Sequence, residues 1–533
     1  MTAVQSFDYV VVGAGSAGCV LAYRLSEDPS ISVALIEAGP EDRSPFIHMP
    51  RGLTQVMADP KHIWAFSSVP HACTSMNSET WVRGRVLGGS SAINGMMYVR
   101  GQPADYDGIA AVSSDDWNWR NMSRAFQAIE NHELGAGEER GTNGPLKLSL
   151  PRTRTRLTES VIAAAAGLGL PVKHDVNAPD NGEGVGYAPC TVHAGRRQTS
   201  AVAFLKPARK RPNLTVITDA VADKIIFENK RAVAVEYLNG GTRKRVGARR
   251  ELIVAGGAMS SPGVLERSGI GNPDLLDRLG IPVVHANPSV GEHLIEHRGI
   301  AMQWRLKRYS QNREFFGWRL LRNVSRYFLT HGGPMSHAAY EMGVWFKTQP
   351  GLARPNGQFL VATFSLDPAA KSPTPERLPG MHIILYPLRP KSKGRVHIQS
   401  LDPNAAAPFE PNYHGVEEDR RELIDVLRYA RRFADQPAMR EHIESETVPG
   451  AQFQTDEQIL DAFDRLGTCC YHAVGSCRMG TDPESVVDPQ LRVRGVTGLR
   501  VMDTSIMPII PSGNTNGPTM AMAWRAADLI LGV

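Results

Sequence analysis

A histidine near the C-terminal end of the chain stands among residues that suit proton transfer. His472 lies in the stretch 471–480, and Asn514 lies in a second polar stretch, 512–519. Oxidation of an alcohol needs a group that accepts the hydroxyl proton while hydride leaves the carbon, and a near-neutral imidazole suits that task. An amide such as that of Asn514 can hydrogen-bond the alkoxide oxygen without competing for the proton. His472 and Asn514 are therefore candidates for a general base and its partner, and the alternative for His472 is a hydrogen-bonded core histidine.

The elements that would position this chemistry begin with an N-terminal stretch typical of a dinucleotide site. The apolar run 9–12 predicts a short buried strand, and a helix is expected to begin near Ser16. Between them stand Gly13, Gly15 and Gly18 in the order G-x-G-x-x-G. These glycines permit a tight turn, close approach of a pyrophosphate and packing of the helix on the strand. The N-terminus of the helix would face the phosphates.

A second predicted strand, 32–36, ends at an acidic residue, Glu37. A carboxylate at this place, about 20 residues beyond the glycines, suits the two hydroxyls of a ribose. It would repel a 2′-phosphate, because the two charges are alike. The stretch therefore predicts NAD or FAD and does not decide between them.

Three later stretches are also typical of a nucleotide-binding domain. Residues 83–96 contain two glycines followed by two serines, which lets the backbone run against a flat ligand or a pyrophosphate. Residues 251–258 predict a buried strand that ends in glycines and is followed by a helix. Residues 498–503 predict a strand that ends at Asp503, and a helix over 518–531 closes the chain.

The segment from about 298 to 464 has a different pattern. Alternating segments at 381–386 and 395–399 predict an antiparallel sheet. Residues 417–433 predict an amphipathic helix that covers this sheet.

These patterns together predict an α/β fold with two domains. A further strand is expected over 213–226, paired with 232–238. The expected architecture is a doubly wound, Rossmann-like nucleotide domain and a second, antiparallel-sheet substrate domain. The nucleotide domain is expected over 1–155, 214–298 and 465–533, and the substrate domain over 156–213 and 299–464.

Composition places the chain among globular proteins. At 533 residues, with 42% hydrophobic and 21% charged residues, it can form two or more domains with a large core. A net charge of +5 is small for this length and does not predict nucleic-acid binding. No apolar run approaches the length that a membrane span needs.

The N-terminal residues and the cysteines bear on the compartment. The start of the chain has neither the basic nor the separate apolar region of a signal peptide. The six cysteines form no C-x-x-C pair, so reduced thiols are expected. We expect a cytoplasmic protein, and the sequence leaves open a peripheral contact with the inner face of the membrane.

Five motifs, taken in order, resemble those of the glucose-methanol-choline (GMC) family of FAD-dependent oxidoreductases. They are the N-terminal glycines and the stretches 85–96, 256–271, 471–480 and 503–519. The resemblance covers essentially the whole chain. Within the family, the chain is similar to bacterial choline dehydrogenase and to aliphatic-alcohol and polyethylene-glycol dehydrogenases, a similarity that includes 48–50 and 64–66.

The resemblance implies a reaction and the residues that carry it. Hydride would pass from an alcohol carbon to flavin N5 and leave an aldehyde or a ketone. Electrons would continue to a quinone-like or other carrier, or to oxygen. His472 matches the family's active-site base, and Asn514 matches its second His or Asn, with Asn516 in reserve. The residues expected to bind FAD are Gly13, Gly15, Ser16, Gly18, Glu37, Ala38, Arg85, Gly88, Ser90, Asn94, Gly95, Met96, Val221, Ala255, Gly256, Asp503, Asn514 and Thr515.

One position departs from some members of the family. Those members attach the flavin through a histidine just before the asparagine that matches Asn94, and this chain has Ile93 there. An aliphatic side chain forms no such bond, so the resemblance implies non-covalent FAD. The alcohol, the acceptor and the oligomeric state are left open by the sequence.

Other chemistries have weaker support in the sequence. The run 293–297 matches the zinc pattern H-x-x-E-H, but it follows a loop and lies where the family has a related V-G-x-x-L-x-x-H run. No metal site is therefore expected. The G-x-S-x-G turn of serine hydrolases is absent, and the downstream motifs disfavour an NAD-dependent dehydrogenase. The family also includes hydroxynitrile lyases, which keep the flavin without net redox chemistry, and that alternative stays open here.

Overall fold

Two seven-stranded sheets organise the protein, and each has its own hydrophobic core. The computed structural model describes residues 5–370 and 374–533, so the first four residues of the expected nucleotide domain lie outside the described part. One sheet is mixed and contains the predicted nucleotide motif, while the other is antiparallel. This α/β architecture confirms the predicted fold class. The segment bounds of the two domains stay a prediction.

The mixed sheet is built from distant parts of the chain. Its parallel strands are, in spatial order, Leu214–Ile217, Val33–Ile36, Ser6–Val12, the end of Thr242–Val254, and Leu499–Val501. The sheet continues as an antiparallel ribbon from Thr242–Val254 through Arg231–Asn239 to Ala220–Glu228. Its first strand lies at the centre, and later strands add on both sides of it, as in doubly wound sheets.

The predicted strand–turn–helix unit lies at the centre of this sheet. The strand Ser6–Val12 leads directly into the helix Ser16–Leu25. Gly13 has a φ of +107°, and a Cβ there would lie 2.4 Å from the carbonyl oxygen of Ala255. A Cβ on Gly18 would lie 1.8 Å from the carbonyl oxygen of Gly13. The helix therefore packs on the turn only because both positions are glycine.

One predicted strand is in fact two. The sequence predicts a single strand over 213–226, but the structure has Leu214–Ile217 and Ala220–Glu228 at opposite edges of the mixed sheet. Asp219, with a φ of +54°, lies in the turn between them. The prediction is wrong because the alternating apolar pattern continues through this turn.

The second sheet is antiparallel throughout. Its strands, in spatial order, are Ile443–Val448, Arg298–Leu306, Gly380–Pro387, Gly357–Ala362, Met342–Phe346 and Gly184–Tyr187, and Gly467–Cys469 also pairs with Arg298–Leu306. Its core includes apolar residues of the helices Arg156–Gly167, Glu417–Ala434 and Asp456–Leu466.

The predicted strand over 395–399 does not join this sheet. Only Arg395–Val396 is extended, and it pairs with Phe409–Glu410. The prediction is wrong because a nearby segment supplies the pairing partner. In the described part of the chain, four further two-stranded pairs lie outside the two sheets: Ile63–Ser67 with Thr80–Gly84, Glu130–His132 with Leu146–Leu148, Val192–His193 with Arg196–Arg197, and Ile270–Gly271 with His285–Ala286.

The other helices vary widely in length. They are Pro45–His48, Leu53–Met57, Pro103–Val112, Trp119–Ile129, Lys206–Ala208, Ser261–Arg267, Pro273–Arg278, Gly317–Thr330, Pro437–Arg440 and Asn516–Leu531, with a π-helical turn at Ala201–Leu205. Over residues 5–370 and 374–533, no helix combines the length and the apolar character that crossing a membrane requires.

A cluster of three ionisable side chains ties the segment around residue 397 to the mixed-sheet half of the protein. His397 Nδ1 lies 2.7 Å from Glu266 in the helix Ser261–Arg267, and His397 Nε2 lies 3.1 Å from Glu292. Burial acts to lower the pKa of His397, but hydrogen bonds to the two carboxylates outweigh it and raise the pKa from 6.5 to about 9. The charged form of His397 is therefore stabilised in the folded protein.

The variant His397→Gln is expected to lower the free energy of unfolding by about 3 kcal/mol near pH 6, because it leaves the buried Glu266 without its cation. Since the folded-state pKa of His397 is raised, this contribution is complete below pH 6.5 and disappears as the pH rises through about 9. Urea unfolding of both proteins between pH 6 and 10 measures the difference. A difference that stays constant over this range would contradict the ion-pair account.

Candidate active site

A single cavity of about 990 Å³ collects most of the residues predicted to bind the cofactor or to act on the substrate. Residues of both halves of the protein line it. The predicted residues that line it are Gly13, Gly15, Ser16, Glu37, Ala38, Ser90, Asn94, Gly95, Met96, Val221, Ala255, Gly256, His472, Asp503, Asn514 and Thr515. Their individual roles stay predictions, but the sequence motifs do meet at one place.

Three predicted cofactor residues lie behind the cavity wall instead. Gly18 packs against the glycine turn, as described above. Gly88 has a φ of +93°, and its N–H donates to the carbonyl oxygen of Ala14 at 2.8 Å. Arg85 Nε donates to the carbonyl oxygen of Ala38 at 3.4 Å. These residues support the loops that form the cavity.

The nucleotide end of the cavity has the features that a pyrophosphate needs. The helix Ser16–Leu25 begins there, and no side chain caps its N-terminus. Its first N–H groups and its dipole therefore remain available to an anion. Gly89 faces this turn so closely that a Cβ on it would lie 2.6 Å from Gly15 Cα. The residues present fit the dinucleotide cofactor implied by the fold.

Two buried acids lie at this end. Glu37 accepts the N–H of Ala14 at 2.8 Å and that of Gly39 at 2.9 Å, and burial raises its pKa to about 7. Asp503 accepts the N–H of Gly257 at 2.9 Å, and burial also raises its pKa. Asp503 Oδ2 also accepts the Ser261 hydroxyl, and its Oδ1 accepts the N–H of Ser505 at 2.7 Å. Both oxygens of Glu37 and Oδ1 of Asp503 therefore keep a second lone pair that can accept from ligand hydroxyls.

A buried arginine that the sequence reasoning missed holds the loop around Asn94. Arg197 Nη1 donates to the carbonyl oxygen of Asn94 at 2.7 Å and to its Oδ1 at 2.8 Å, and Nε donates to the carbonyl oxygen of Ile47 at 3.0 Å. Burial lowers the pKa of Arg197 to about 9. No motif marks this residue, because its partners are backbone and amide oxygens distant in the sequence.

Two paired strands bring two histidines into contact at the other side of the cavity, with their ring planes nearly perpendicular. His297 immediately precedes Arg298–Leu306, His472 follows Gly467–Cys469, and these strands pair with each other. The Nδ1 atoms of the two histidines lie 2.9 Å apart. Tyr471, just before His472, has a φ of +64°, a strained conformation of the kind that clusters at functional sites.

A chain of hydrogen bonds determines which nitrogen of His472 carries hydrogen. His297 Nε2 lies 2.9 Å from the carbonyl oxygen of Leu388, and since a carbonyl only accepts, Nε2 is the donor. In neutral His297, Nδ1 is then an acceptor, and His472 Nδ1 must donate to it. His472 Nε2 keeps its lone pair, and Asn514 Nδ2 donates to it from 3.0 Å.

Both imidazoles are held in the neutral form. Burial lowers the pKa of His297 to about 4. Burial, with the nearby His297 and Arg83, lowers the pKa of His472 well below 6.5. A neutral imidazole whose Nε2 is an acceptor is the form that a general base requires.

Glu296 holds the backbones of the two histidines together. Its Oε1 accepts the N–H of His297 at 2.9 Å and that of His472 at 2.7 Å. Arg83 Nη2 lies 3.4 Å from Glu296 Oε2, and burial raises the pKa of Glu296 to about 7. Sequence reasoning considered Glu296 and His297 only as parts of a zinc pattern and missed this role.

The H-x-x-E-H run is extended rather than helical. Leu294 and Ile295 form β-bridges to Gly394 and Val474. Within the described residues, Glu296, His297 and His472 form a group whose ligand atoms lie within 4.8 Å of one another. The direct hydrogen bond between the two Nδ1 atoms, however, occupies the space that an ion would need.

The two candidate asparagines have different surroundings. Asn514 contacts His472, and its Oδ1 is buried without a hydrogen-bond partner. Asn516 Oδ1 instead accepts the hydroxyl of Ser16, at the start of the first helix. A buried acceptor without a donor is costly, so the Oδ1 atom of Asn514 suits a ligand hydroxyl.

The part of the cavity beyond His472 is aromatic. Its ring side chains are Tyr386, which contacts the ring of His472, and Tyr340, His382, Phe364 and Phe315, which contact one another in turn. Arg51 lies among them, with its guanidinium carbon 4.8 Å from the ring centre of Phe364 and 5.3 Å from that of Phe315. Among the described residues that line the cavity, the only acids are Glu37 and Asp503 at the nucleotide end.

The side chain of Arg51 lacks a carboxylate partner among the described residues. Its buried Nε has no hydrogen-bond partner, and its Nη2 has only a long contact of 3.4 Å with Gln311 Oε1. Burial lowers the pKa of Arg51, although the guanidinium remains charged at neutral pH. Glu341 is near enough for its charge to favour the guanidinium, but it forms no ion pair with Arg51 and does not line the cavity. In the substrate part of the cavity, Arg51 is therefore not joined by an acidic lining residue.

Comparison with known proteins places this site in a family. Residues 7–298 and 390–523 match the N- and C-terminal models of the GMC oxidoreductases. The chain is 37% identical to an alcohol dehydrogenase [acceptor] of Pseudomonas putida, over 98% of this chain and 96% of that one. It is 38% identical to the mitochondrial choline dehydrogenase of Homo sapiens, over 99% and 90%. The crystal structure of pyridoxine 4-oxidase from Mesorbium loti superposes with a TM-score of 0.90 at 29% identity, covering 99% of each chain. The chain belongs to the GMC oxidoreductase family.

Proposed function

We propose that this protein oxidises a CH–OH group to an aldehyde or a ketone with FAD as cofactor. GMC oxidoreductases bind FAD, and the nucleotide end of the cavity fits it. Bound flavin supplies the hydride acceptor of such a reaction. The observation that supports the proposal most directly is the hydrogen-bond chain through His297, which leaves Nε2 of His472 as an acceptor facing the cavity.

His472, Asn514 and Glu296 have separate roles in the proposed reaction. The alcohol hydroxyl replaces Asn514 Nδ2 as the donor to His472 Nε2, which accepts the proton as hydride leaves the carbon. Asn514 Nδ2 donates to the substrate oxygen and lowers the energy of the alkoxide that develops there. The imidazolium formed at His472 is stabilised by the Glu296 carboxylate, which belongs to the group of ligand atoms within 4.8 Å of one another.

Anaerobic bleaching of the flavin tests the reaction. Mixing the FAD-loaded protein with its alcohol should bleach the visible absorbance of the oxidised flavin. Oxygen or a quinone should restore this absorbance. A hydroxynitrile lyase would leave the flavin oxidised. The relatives compared above are named as dehydrogenases and an oxidase, which does not support that alternative.

We further propose that the FAD is held without a covalent bond, because Ile93 lines the cavity at the position where some relatives of the family have the linking histidine. Acid precipitation of the purified protein is expected to release all the flavin into the supernatant. Flavin that stays in the pellet would contradict the non-covalent attachment, and a colourless protein that binds NAD would contradict the cofactor itself.

The substrate part of the cavity supports an uncharged alcohol with an apolar body. Its wall consists of aromatic rings and contains Arg51, whereas the acidic lining residues lie at the nucleotide end. A quaternary ammonium substrate such as choline would meet a like charge and no carboxylate there. We therefore propose an aliphatic or aromatic alcohol, although several relatives are named choline dehydrogenases.

A matched pair of substrates tests this preference. 3,3-Dimethyl-1-butanol has the shape of choline with carbon in place of the charged nitrogen, so the two differ mainly in charge. We expect kcat/KM for the neutral alcohol to exceed that for choline at least tenfold, since about 1.4 kcal/mol of repulsion suffices for this ratio. In the variant Arg51→Met, the ratio of kcat/KM for the neutral alcohol to that for choline should fall towards one. A preference for choline in the unmodified protein would refute the assignment.

A further inference from the structure

The helix Gly317–Thr330 presents an apolar face to solvent. Trp318, Leu321, Phe328 and Leu329 expose 66%, 70%, 51% and 83% of their surface, respectively. At 100° per residue, these positions fall within an arc of about 100° on one side of the helix. Most surface helices of globular proteins turn such a stripe towards the core. This stripe is turned outwards.

The opposite side of the helix is anchored in the protein. Asn323 and Tyr327 are buried, and Tyr327 donates its hydroxyl hydrogen to the carbonyl oxygen of His48 at 3.1 Å. Asn323 Nδ2 donates to Glu314 Oε2 at 2.9 Å. The exposure of the apolar stripe therefore belongs to a well-packed helix and does not result from fraying.

Arginines flank the apolar stripe on one side. Arg319, Arg322 and Arg326 follow one another at three- or four-residue spacing, and the helix contains no acidic residue. Glu314, just before the helix, pairs with Arg319 at 3.2 Å and with Arg322 at 3.4 Å. One carboxylate therefore pairs with two of the three guanidinium groups, and the surface keeps a net positive charge.

We propose that this helix docks on the surface of an anionic phospholipid bilayer and lies in the plane of its headgroups. An exposed apolar stripe bordered by arginines is the pattern of interfacial helices, in which apolar side chains enter the acyl boundary and arginines contact lipid phosphates. A second copy of this chain would fit the surface poorly. If the two helices packed antiparallel about a two-fold axis, the arginines of both copies would lie side by side, and like charges repel.

Docking would also bring the cavity to the membrane. Leu320 and Val324 of the same helix line the cavity, together with Phe315 and Met335 beside it. If the protein acts on apolar alcohols, as proposed above, a bilayer-dissolved alcohol or acceptor could enter close to this helix. This consequence rests on the proposed function, whereas the docking itself does not.

Vesicle flotation with the FAD-loaded full chain tests the docking. The protein should float with vesicles of phosphatidylglycerol and phosphatidylcholine at low salt, and much less with phosphatidylcholine alone. The triple variant Trp318→Ser, Leu321→Ser, Leu329→Ser should lose binding at least hundredfold, because three apolar side chains no longer enter the bilayer. Leu401→Ser is the control for loss of an exposed leucine, since Leu401 is 52% exposed in a loop away from this helix.

Two further measurements distinguish membrane docking from damage to the active site. Changing Arg319, Arg322 and Arg326 to Gln should weaken binding about fivefold per charge and remove most of its salt dependence. Flavin reduction by a soluble alcohol should be unchanged in the serine triple variant, since none of its three positions lines the cavity. Binding of the triple variant equal to that of the Leu401→Ser control, or a dimer that dissociates in the triple variant, would overturn the proposal.

Discussion

Replacing His472 with alanine is expected to slow flavin reduction by an alcohol about 10²–10⁴-fold, the usual contribution of a general base. The variant loses the Nε2 lone pair to which Asn514 donates and which faces the cavity. FAD should remain bound in full, because the residues at the nucleotide end are unchanged. Anaerobic stopped-flow absorbance, with flavin content measured on the same samples, gives both quantities.

Two comparisons make this expectation specific. Raising the pH should partly restore the rate of His472→Ala, because more of the alcohol is then alkoxide in solution. Asn514→Ala should lose less activity, since it removes a hydrogen bond and orientation but keeps the base. If His472→Ala with a full content of FAD reduced its flavin at the parent rate, the base would have to be another residue.

The variant His297→Leu is expected to slow the same step about 10²-fold, although His297 does not face the substrate. Leucine cannot accept the hydrogen of His472 Nδ1, so His472 would shift towards the tautomer with hydrogen on Nε2. In that tautomer Nε2 donates a hydrogen bond, whereas a general base needs an acceptor at this atom. The effect should fall on the rate of flavin reduction rather than on KM, because the substrate contacts are unchanged.

The variant His297→Gln distinguishes the hydrogen bond of His297 to His472 from the effect of its side-chain packing. A glutamine side chain can accept from His472 Nδ1 through its amide oxygen, so this variant should recover a large part of the lost rate. Tyr386→Phe is the matched control, because Tyr386 stacks on His297 at 4.9 Å but lies outside the hydrogen-bond chain. Equal rates for the leucine and glutamine variants, with equal thermal stability, would show that His297 acts only by filling space.

The nucleotide end of the site could be predicted because its determinants are local. The turn at Gly13 and the packing of Gly18 are governed by backbone sterics within a few residues, and Glu37 follows at a regular distance. His472 and Asn514 could be predicted from their residue types and from the family resemblance. Their contact with each other, at 3.0 Å, is a property of the folded chain.

The remaining features depend on long-range pairing that sequence periodicity does not show. His297 reaches His472 only because two strands about 170 residues apart in the chain pair next to them. Arg51 and Arg197 interact with rings and backbone oxygens and leave no motif. In the helix Gly317–Thr330, the spacing of apolar residues indicates an apolar and a polar face. It does not indicate that the apolar face is the one exposed to solvent.

The make-up of the mixed sheet also constrains when the protein can load its cofactor during synthesis. Leu499–Val501 pairs with Thr242–Val254, which itself pairs with Ser6–Val12. At about 5–20 residues per second, the N-terminal strand leaves the ribosome roughly 25–100 s before the last one. Because Asp503 and Asn514 come from the same late segment, a nascent chain has no closed nucleotide cavity. The cavity is therefore completed only after residues 503–514 have emerged from the ribosome, and until then the central strands lack part of their pairing.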